Sequence, residues 1–127
     1  MNANIADTKR VMVVDDSVNA AQVMGWMFEL IHGHEVQLAH DGASSIAIAM
    51  KFRPHLIMLD IGMPGMTGYE ICRAMRQEPV LKDTIIVAQT GWGEKKHRQR
   101  TKEAGFDNHL VKPVTLEDIQ EILASLN

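Results

Sequence analysis

Five residues with reactive or charged side chains stand at or just beyond the ends of short apolar runs: Asp15 and Asp16 after 11–14, Asp60 after 56–59, Thr90 after 85–88 and Lys112 after 109–111. If those runs are neighbouring parallel strands, the five meet, because ligands in open parallel sheets bind beyond the carboxyl ends of the strands. Two carboxylates about 5 Å apart repel by roughly 3 kcal/mol at an effective dielectric near 20. Three in one pocket therefore need a cation or must bind protons. All-oxygen ligation by few protein groups favours Mg2+ or Mn2+ over zinc, for which Cys or His would be expected. Lys112 adds a second positive centre and Thr90 a neutral donor, a set that suits the equatorial oxygens of a phosphoryl group in transfer. A carboxylate can be the nucleophile. Asp60 is the best placed, standing alone at the central run while Asp15 and Asp16 form a pair.

The runs 11–14, 56–59 and 85–88, with weaker ones at 36–39 and 109–111, lack the in-out alternation of a half-exposed sheet. They read as strands buried on both faces, as in a parallel sheet covered by helices. Between them the apolar period becomes helical: Ala20, Val23, Met24, Met27, Leu30 and Ile31 form one stripe, and Ala43, Ile46, Ala47 and Met50 another. Tyr69, Cys72 and Met75 mark a short third helix, and Leu116, Ile119, Leu123 and Leu126 the last. Ser17, Asp41 and Thr115 are placed to cap free backbone N–H groups at helix starts. The order is (βα) repeated five times, an α/β chain with helices on both faces. Five strands are too few for a (β/α)8 barrel, so an open doubly wound sheet is expected.

Residues 94–103 form a helix candidate with no hydrophobic side chain, and it carries a net +3 while the rest of the chain carries −6. Such a helix is either a solvated element held by its ends or a loosely packed one that can shift and present charge to a partner. A chain of net charge −3 lacks the broad basic surface of direct nucleic-acid binders. The length of 127 residues with 46% hydrophobic content fits one globular domain rather than two. The longest apolar run, 46–50, has five residues, against roughly 18 to 20 for a membrane span. The N-terminus has no secretory pattern, so the cytoplasm is expected. The single cysteine, Cys72, cannot form an internal disulfide and reads as a small packing residue.

From about residue 10 to 125 the chain resembles the receiver domains of two-component response regulators, after a short tail, 1–9. The resemblance rests on Val-Val-Asp15-Asp16-Ser, Leu-Asp60-Ile-Gly-Met-Pro64-Gly-Met-Thr-Gly68-Tyr-Glu, Thr90-Gly-Trp-Gly and His109-Leu-Val-Lys112-Pro113, in this order and spacing. It implies a flavodoxin-like sheet of order 2-1-3-4-5 over a domain at 10–127. It also implies that Asp60 is the phosphoacceptor, with Mg2+ (or Mn2+) bound by Asp16, Asp60 and the backbone carbonyl of Gly62, and with Asp15 acting mainly through bound water. Thr90 would hydrogen-bond the phosphoryl group and Lys112 pair with it. Thr90 and His109 would form the switch, His109 replacing the usual Tyr or Phe. The Lys112-Pro113 peptide is cis in this family, against a base rate near 5 to 6%. The donor would be a sensor histidine kinase or phosphotransfer protein. The output would be a downstream protein reading the fourth helix, fifth strand and fifth helix, and a phosphorylation-dependent homodimer is compatible with it.

Gly62 offers no side chain to an attacking water, and Trp92 is a candidate cover for the site. The wording resembles receivers of hybrid histidine kinases, and a stand-alone regulator is the other expectation. Two other classes are weighed. A Mg2+-dependent phosphatase would also use an aspartyl phosphate, yet haloacid-dehalogenase-type enzymes need a second Asp where Gly62 stands. In a flavodoxin-type flavin module, Asp15 and Asp16 would repel the cofactor phosphate. The Gly62, Gly65 and Gly68 run reads as loop geometry around Pro64. His32 and His34 read as solvated turn residues. No P-loop, nucleophile elbow or H-E-x-x-H occurs.

Overall fold

The computed structural model describes residues 8–91 and 95–126 and, within them, all side chains but those of residues 32 and 95–97. Strands β1 (Arg10–Val14), β2 (Glu35–Ala39), β3 (Leu56–Asp60), β4 (Ile85–Thr90) and β5 (Asn108–Val111) alternate with helices α1 (Val18–His32), α2 (Gly42–Phe52), α3 (Gly68–Arg76), α4 (Lys95–Ala104) and α5 (Leu116–Ser125). A single turn of 3-10 helix, Pro79–Leu81, precedes β4. All strand pairs are parallel, in the order β2-β1-β3-β4-β5, as expected for the flavodoxin-like (βα)5 fold.

Alternate residues of the strands feed two cores. Met12, Val14, Ile57, Leu59, Ile86 and Ala88 pack beneath α2, α3 and α4. Val11, Val13, Leu56, Met58 and Val87 pack with Phe28 of α1 and Ile119, Ile122 and Leu123 of α5. Strands buried on both faces explain why the three central runs lack alternation. The edge strands differ from that expectation: β2 buries only Ala39 and β5 buries no residue fully.

Two helix stripes are rotated from their expected positions. On α1, Ala21 and Phe28 are buried, whereas Val23 is 52% and Leu30 85% exposed. Nearly every side of this helix carries apolar residues, so periodicity alone could not choose its core face. On α2 the buried positions are Gly42, Ser45 and Ala49, while Ala43 and Ala47 are exposed. Small residues win there because the helix lies close to its neighbours; a Cβ on Gly42 would sit 2.6 Å from Met66 Sδ. On α5, Leu116 is 49% exposed and Ile122 is buried instead.

The caps expected at Ser17, Asp41 and Thr115 are present, each accepting a hydrogen bond from a first-turn backbone N–H. Thr67 adds a reciprocal capping box with Glu70 at the start of α3, a pattern that also marks such starts in sequence. Tyr69, Cys72 and Met75 of α3 are buried as expected, and burial pushes the Cys72 thiol up to about 11. His34 is buried rather than solvated, its Nδ1 accepting the Lys9 N–H at 2.9 Å.

Among the described side chains of α4, 98–104, few attach it to the rest of the fold. Thr101 is buried and its Oγ1 donates to the Arg98 carbonyl at 2.7 Å. Ala104 is buried, and the Arg100 guanidinium lies 4.3 Å from the centre of the Tyr69 ring on α3. Arg76 ties the following turn down: it pairs with Asp107 at 2.6 Å and donates to the carbonyls of Gly105 and Thr84. Asp107 in turn accepts the Ile86 N–H at 2.9 Å.

Candidate functional site

Register brings the expected residues to one edge. Val14 lies opposite Leu59, Asp60 opposite Gln89, and Thr90 opposite Val111. Asp15 therefore follows β1 at the level of Asp60, and Lys112 follows β5 one residue beyond the level of Thr90. The strands also run further than their apolar cores suggested, because Asp60, Gln89 and Thr90 are polar yet stay in the ladder and are buried.

Carboxylate oxygens of Asp15, Asp16 and Asp60 all lie within 4.8 Å of one another. Asp15 and Asp60 are buried and Asp16 is exposed. Lys112 Nζ lies 3.2 Å from Asp60 Oδ2 and 3.8 Å from Asp15 Oδ2. The Gly62 N–H donates to Asp60 Oδ1 at 3.1 Å and the Ser17 N–H to Asp15 Oδ1 at 2.9 Å. Burial holds the Asp15 carboxyl above the usual range and the nearby acids push the same way, while the Ser17 N–H and Lys112 oppose them.

These residues fit a hard divalent cation. Three carboxylates at this spacing with partial burial form an oxygen-only donor set whose mutual repulsion a cation relieves. Asp60 opens into a cleft of ≈ 320 Å³ lined also by Gly62, Tyr69, Thr90, Gly91 and Lys112. A phosphoryl group needs such a space beside a carboxylate nucleophile, an ammonium and a hydroxyl.

The loop after β3 is shaped by glycine. Gly65 has φ +77°, and a Cβ on Gly68 would lie 2.7 Å from the Asp60 carbonyl oxygen. Gly62 leaves the approach to Asp60 open, its absent Cβ being 3.8 Å from Asp60 Oδ1. Tyr69 lines the cleft without having been singled out for it; its place immediately after the loop was the available signal. Lys112-Pro113 is cis. His109 faces α4, its Nδ1 3.4 Å from Thr101 Oγ1. Trp92 lies outside the described residues.

Residues 11–124 match the family model described as "Response regulator receiver domain". The chain spans about half the length of the first curated relatives it matches. One, a probable transcriptional regulator ycf27 of Cyanophora paradoxa, is 31% identical over 118 residues, 93% of this chain and 48% of that protein. Among solved structures, the chemotaxis protein CheY4 of Vibrio cholerae superposes with a TM-score of 0.88 at 32% identity, covering 94% of this chain and 99% of that one. The receiver domain of the sensor histidine kinase PA1611 of Pseudomonas aeruginosa, with a magnesium ion coordinated in its active site cleft, gives 0.84 at 25% identity, covering 94% and 97%.

Proposed function

Because the chain belongs to the response regulator receiver domain family, we propose that it is the phosphoacceptor switch of a two-component phosphorelay, with Asp60 as the residue modified. The observation that carries this reading is the placement of Lys112 Nζ 3.2 Å from Asp60 inside a group of three carboxylates. A phosphohistidine of a sensor kinase or phosphotransfer protein is the donor: an Asp60 carboxylate oxygen bonds to phosphorus, the P–N bond breaks and its electron pair returns to the imidazole, which takes up a proton. Lys112 holds and neutralises the carboxylate, and the Thr90 hydroxyl donates to a phosphoryl oxygen. Mg2+ (or Mn2+) would be held by Asp16, Asp60 and the Gly62 carbonyl, with Asp15 acting through water, and when bound it neutralises charge on the transferred group.

The modification adds nearly two negative charges at the sheet edge. Thr90 ends β4, and His109 on the neighbouring β5 meets Thr101 of α4. A shift of Thr90 toward the phosphoryl group therefore reaches α4, whose groove against β5, ≈ 590 Å³, carries Arg98, Lys102 and His109. A partner with acidic side chains suits that face. We place the domain in the cytoplasm beside its kinase; among the described residues no helix is long and apolar enough to cross a membrane.

The test is intact mass after incubation with acetyl phosphate. The expected result is one Mg2+-dependent phosphoryl adduct, absent in Asp60→Asn. An adduct that persists in Asp60→Asn overturns the assignment, and steady turnover of phosphate esters without an adduct replaces it with a hydrolase.

A further inference from the structure

Two consecutive residues of α4 reach different neighbours. Thr101 meets His109 of β5, and the Arg100 guanidinium lies 4.3 Å from the centre of the Tyr69 ring on α3. Tyr69, the single tyrosine of the chain, lines the cleft into which Asp60 opens, together with Gly62, Thr90 and Lys112. Arg100 therefore touches a wall of that cleft from outside, on a side of α4 other than the one that meets β5.

The backbone carrying this ring is fixed. Gly68 donates its N–H to the Ile61 carbonyl at 3.1 Å, and a Cβ at Gly68 would lie 2.7 Å from the Asp60 carbonyl oxygen, so the start of α3 is pressed against the end of β3. Thr67 Oγ1 accepts the Glu70 N–H. What remains to the ring is rotation of its own side chain, and a change of rotamer moves a large aromatic group bodily.

Tyr69 is 5% exposed whereas Arg100 is exposed, which sets the guanidinium between the ring and solvent. An arginine cation is attracted to the face of an aromatic ring and its planar group stacks there. That attraction favours the ring position seen here, in which one face is turned to α4 and Tyr69 walls the cleft.

We infer that Arg100 is a positioning residue for this cleft: by holding the Tyr69 ring in place, it keeps water from phosphorylated Asp60 and lengthens the life of the acyl phosphate. The inference rests on the reading of Asp60 as phosphoacceptor. In the hydrolysis it slows, a water oxygen bonds to phosphorus and the bond from phosphorus to the Asp60 oxygen breaks. The electron pair returns to the carboxylate, inorganic phosphate leaves and a proton passes to solvent. A bulky wall that excludes water opposes that attack.

The test loads the full chain with acetyl phosphate and Mg2+ and follows decay of the adduct by intact mass after donor removal. Arg100→Met, which keeps the stem and loses the charge, is expected to shorten the lifetime about threefold, the worth of one exposed cation–ring contact. Arg100→Lys keeps a cation and is expected to retain most of it. Without donor, the same variants are read by NMR of 13C-tyrosine, where the one tyrosine gives one set of ring signals. These are expected to move in Arg100→Met and much less in Arg100→Lys. A lifetime unchanged in Arg100→Met overturns the proposal, as does equal shortening in both variants, which would trace the effect to the helix rather than to the charge on the ring. Ring signals unmoved in Arg100→Met overturn this proposal alone, whereas an unaltered chain that forms no adduct overturns the phosphoacceptor reading and this proposal with it.

Discussion

The Asp60 carboxylate is held from two directions, one oxygen by Lys112 and the other by the Gly62 N–H. Removing the ammonium leaves the backbone contact and takes away the charge that would meet the phosphoryl group. Lys112→Met is therefore expected to slow phosphorylation by acetyl phosphate by about a hundredfold, measured as adduct formation by intact mass. In the proposed cycle, Gly62 bears on the opposite step. A side chain there would start 3.8 Å from Asp60 Oδ1, within reach of a water attacking the acyl phosphate. Gly62→Asn should shorten the adduct's lifetime by about tenfold through water positioning, read as decay of the adduct mass after donor removal; an unchanged lifetime would refute that role. At this scale the gathering of acids, hydroxyl and ammonium at one sheet edge was legible from residue types, because each follows an apolar run. Gln89 was not, since a polar residue at the end of such a run reads as the strand's termination and only the sheet register shows it buried.

Among the elements, the junction of α3, β4 and β5 depends on one side chain. Arg76 donates to the Gly105 and Thr84 carbonyls and pairs with Asp107, which also accepts the Ile86 N–H. Arg76→Ala should cost about 2 kcal/mol, the order expected for losing charged hydrogen bonds at a partly exposed site, visible as a lower urea midpoint with an unchanged slope. The strands and three of the caps were legible because buried runs and Ser, Asp or Thr at helix starts have local causes. The faces of α1 and α2 were not. On α1 too many positions are apolar, and on α2 close approach favours Gly42, Ser45 and Ala49 over larger residues. Neither cause is visible without the neighbouring element.

For the molecule as a whole, acid sensitivity is expected at the edge of the sheet opposite the acidic cluster. His55 Nδ1 accepts the Arg10 N–H at 2.9 Å. Burial, with the charges of Arg10 and Lys9, holds its pKa below the ordinary histidine value. The unfolded chain therefore takes up this proton first, so the contribution of His55 is complete above about pH 6.5 and is lost as pH falls below it. Urea midpoints at neutral and mildly acidic pH should fall less steeply for His55→Asn than for the unaltered chain; identical slopes would remove His55 as the cause.

Helix α4 has a thermodynamic consequence of its own. Denaturant sensitivity and heat capacity both scale with the surface newly exposed when a segment opens. Among its described side chains, 98–104, this helix covers the sheet with Thr101 and Ala104, plus a guanidinium resting on Tyr69. Its opening should therefore respond weakly to urea and temperature. Amide exchange in 98–104 should proceed by a local route at low denaturant concentration, whereas exchange in β3 follows global unfolding. A signal sent through α4 would then be nearly independent of how stable the rest of the domain is.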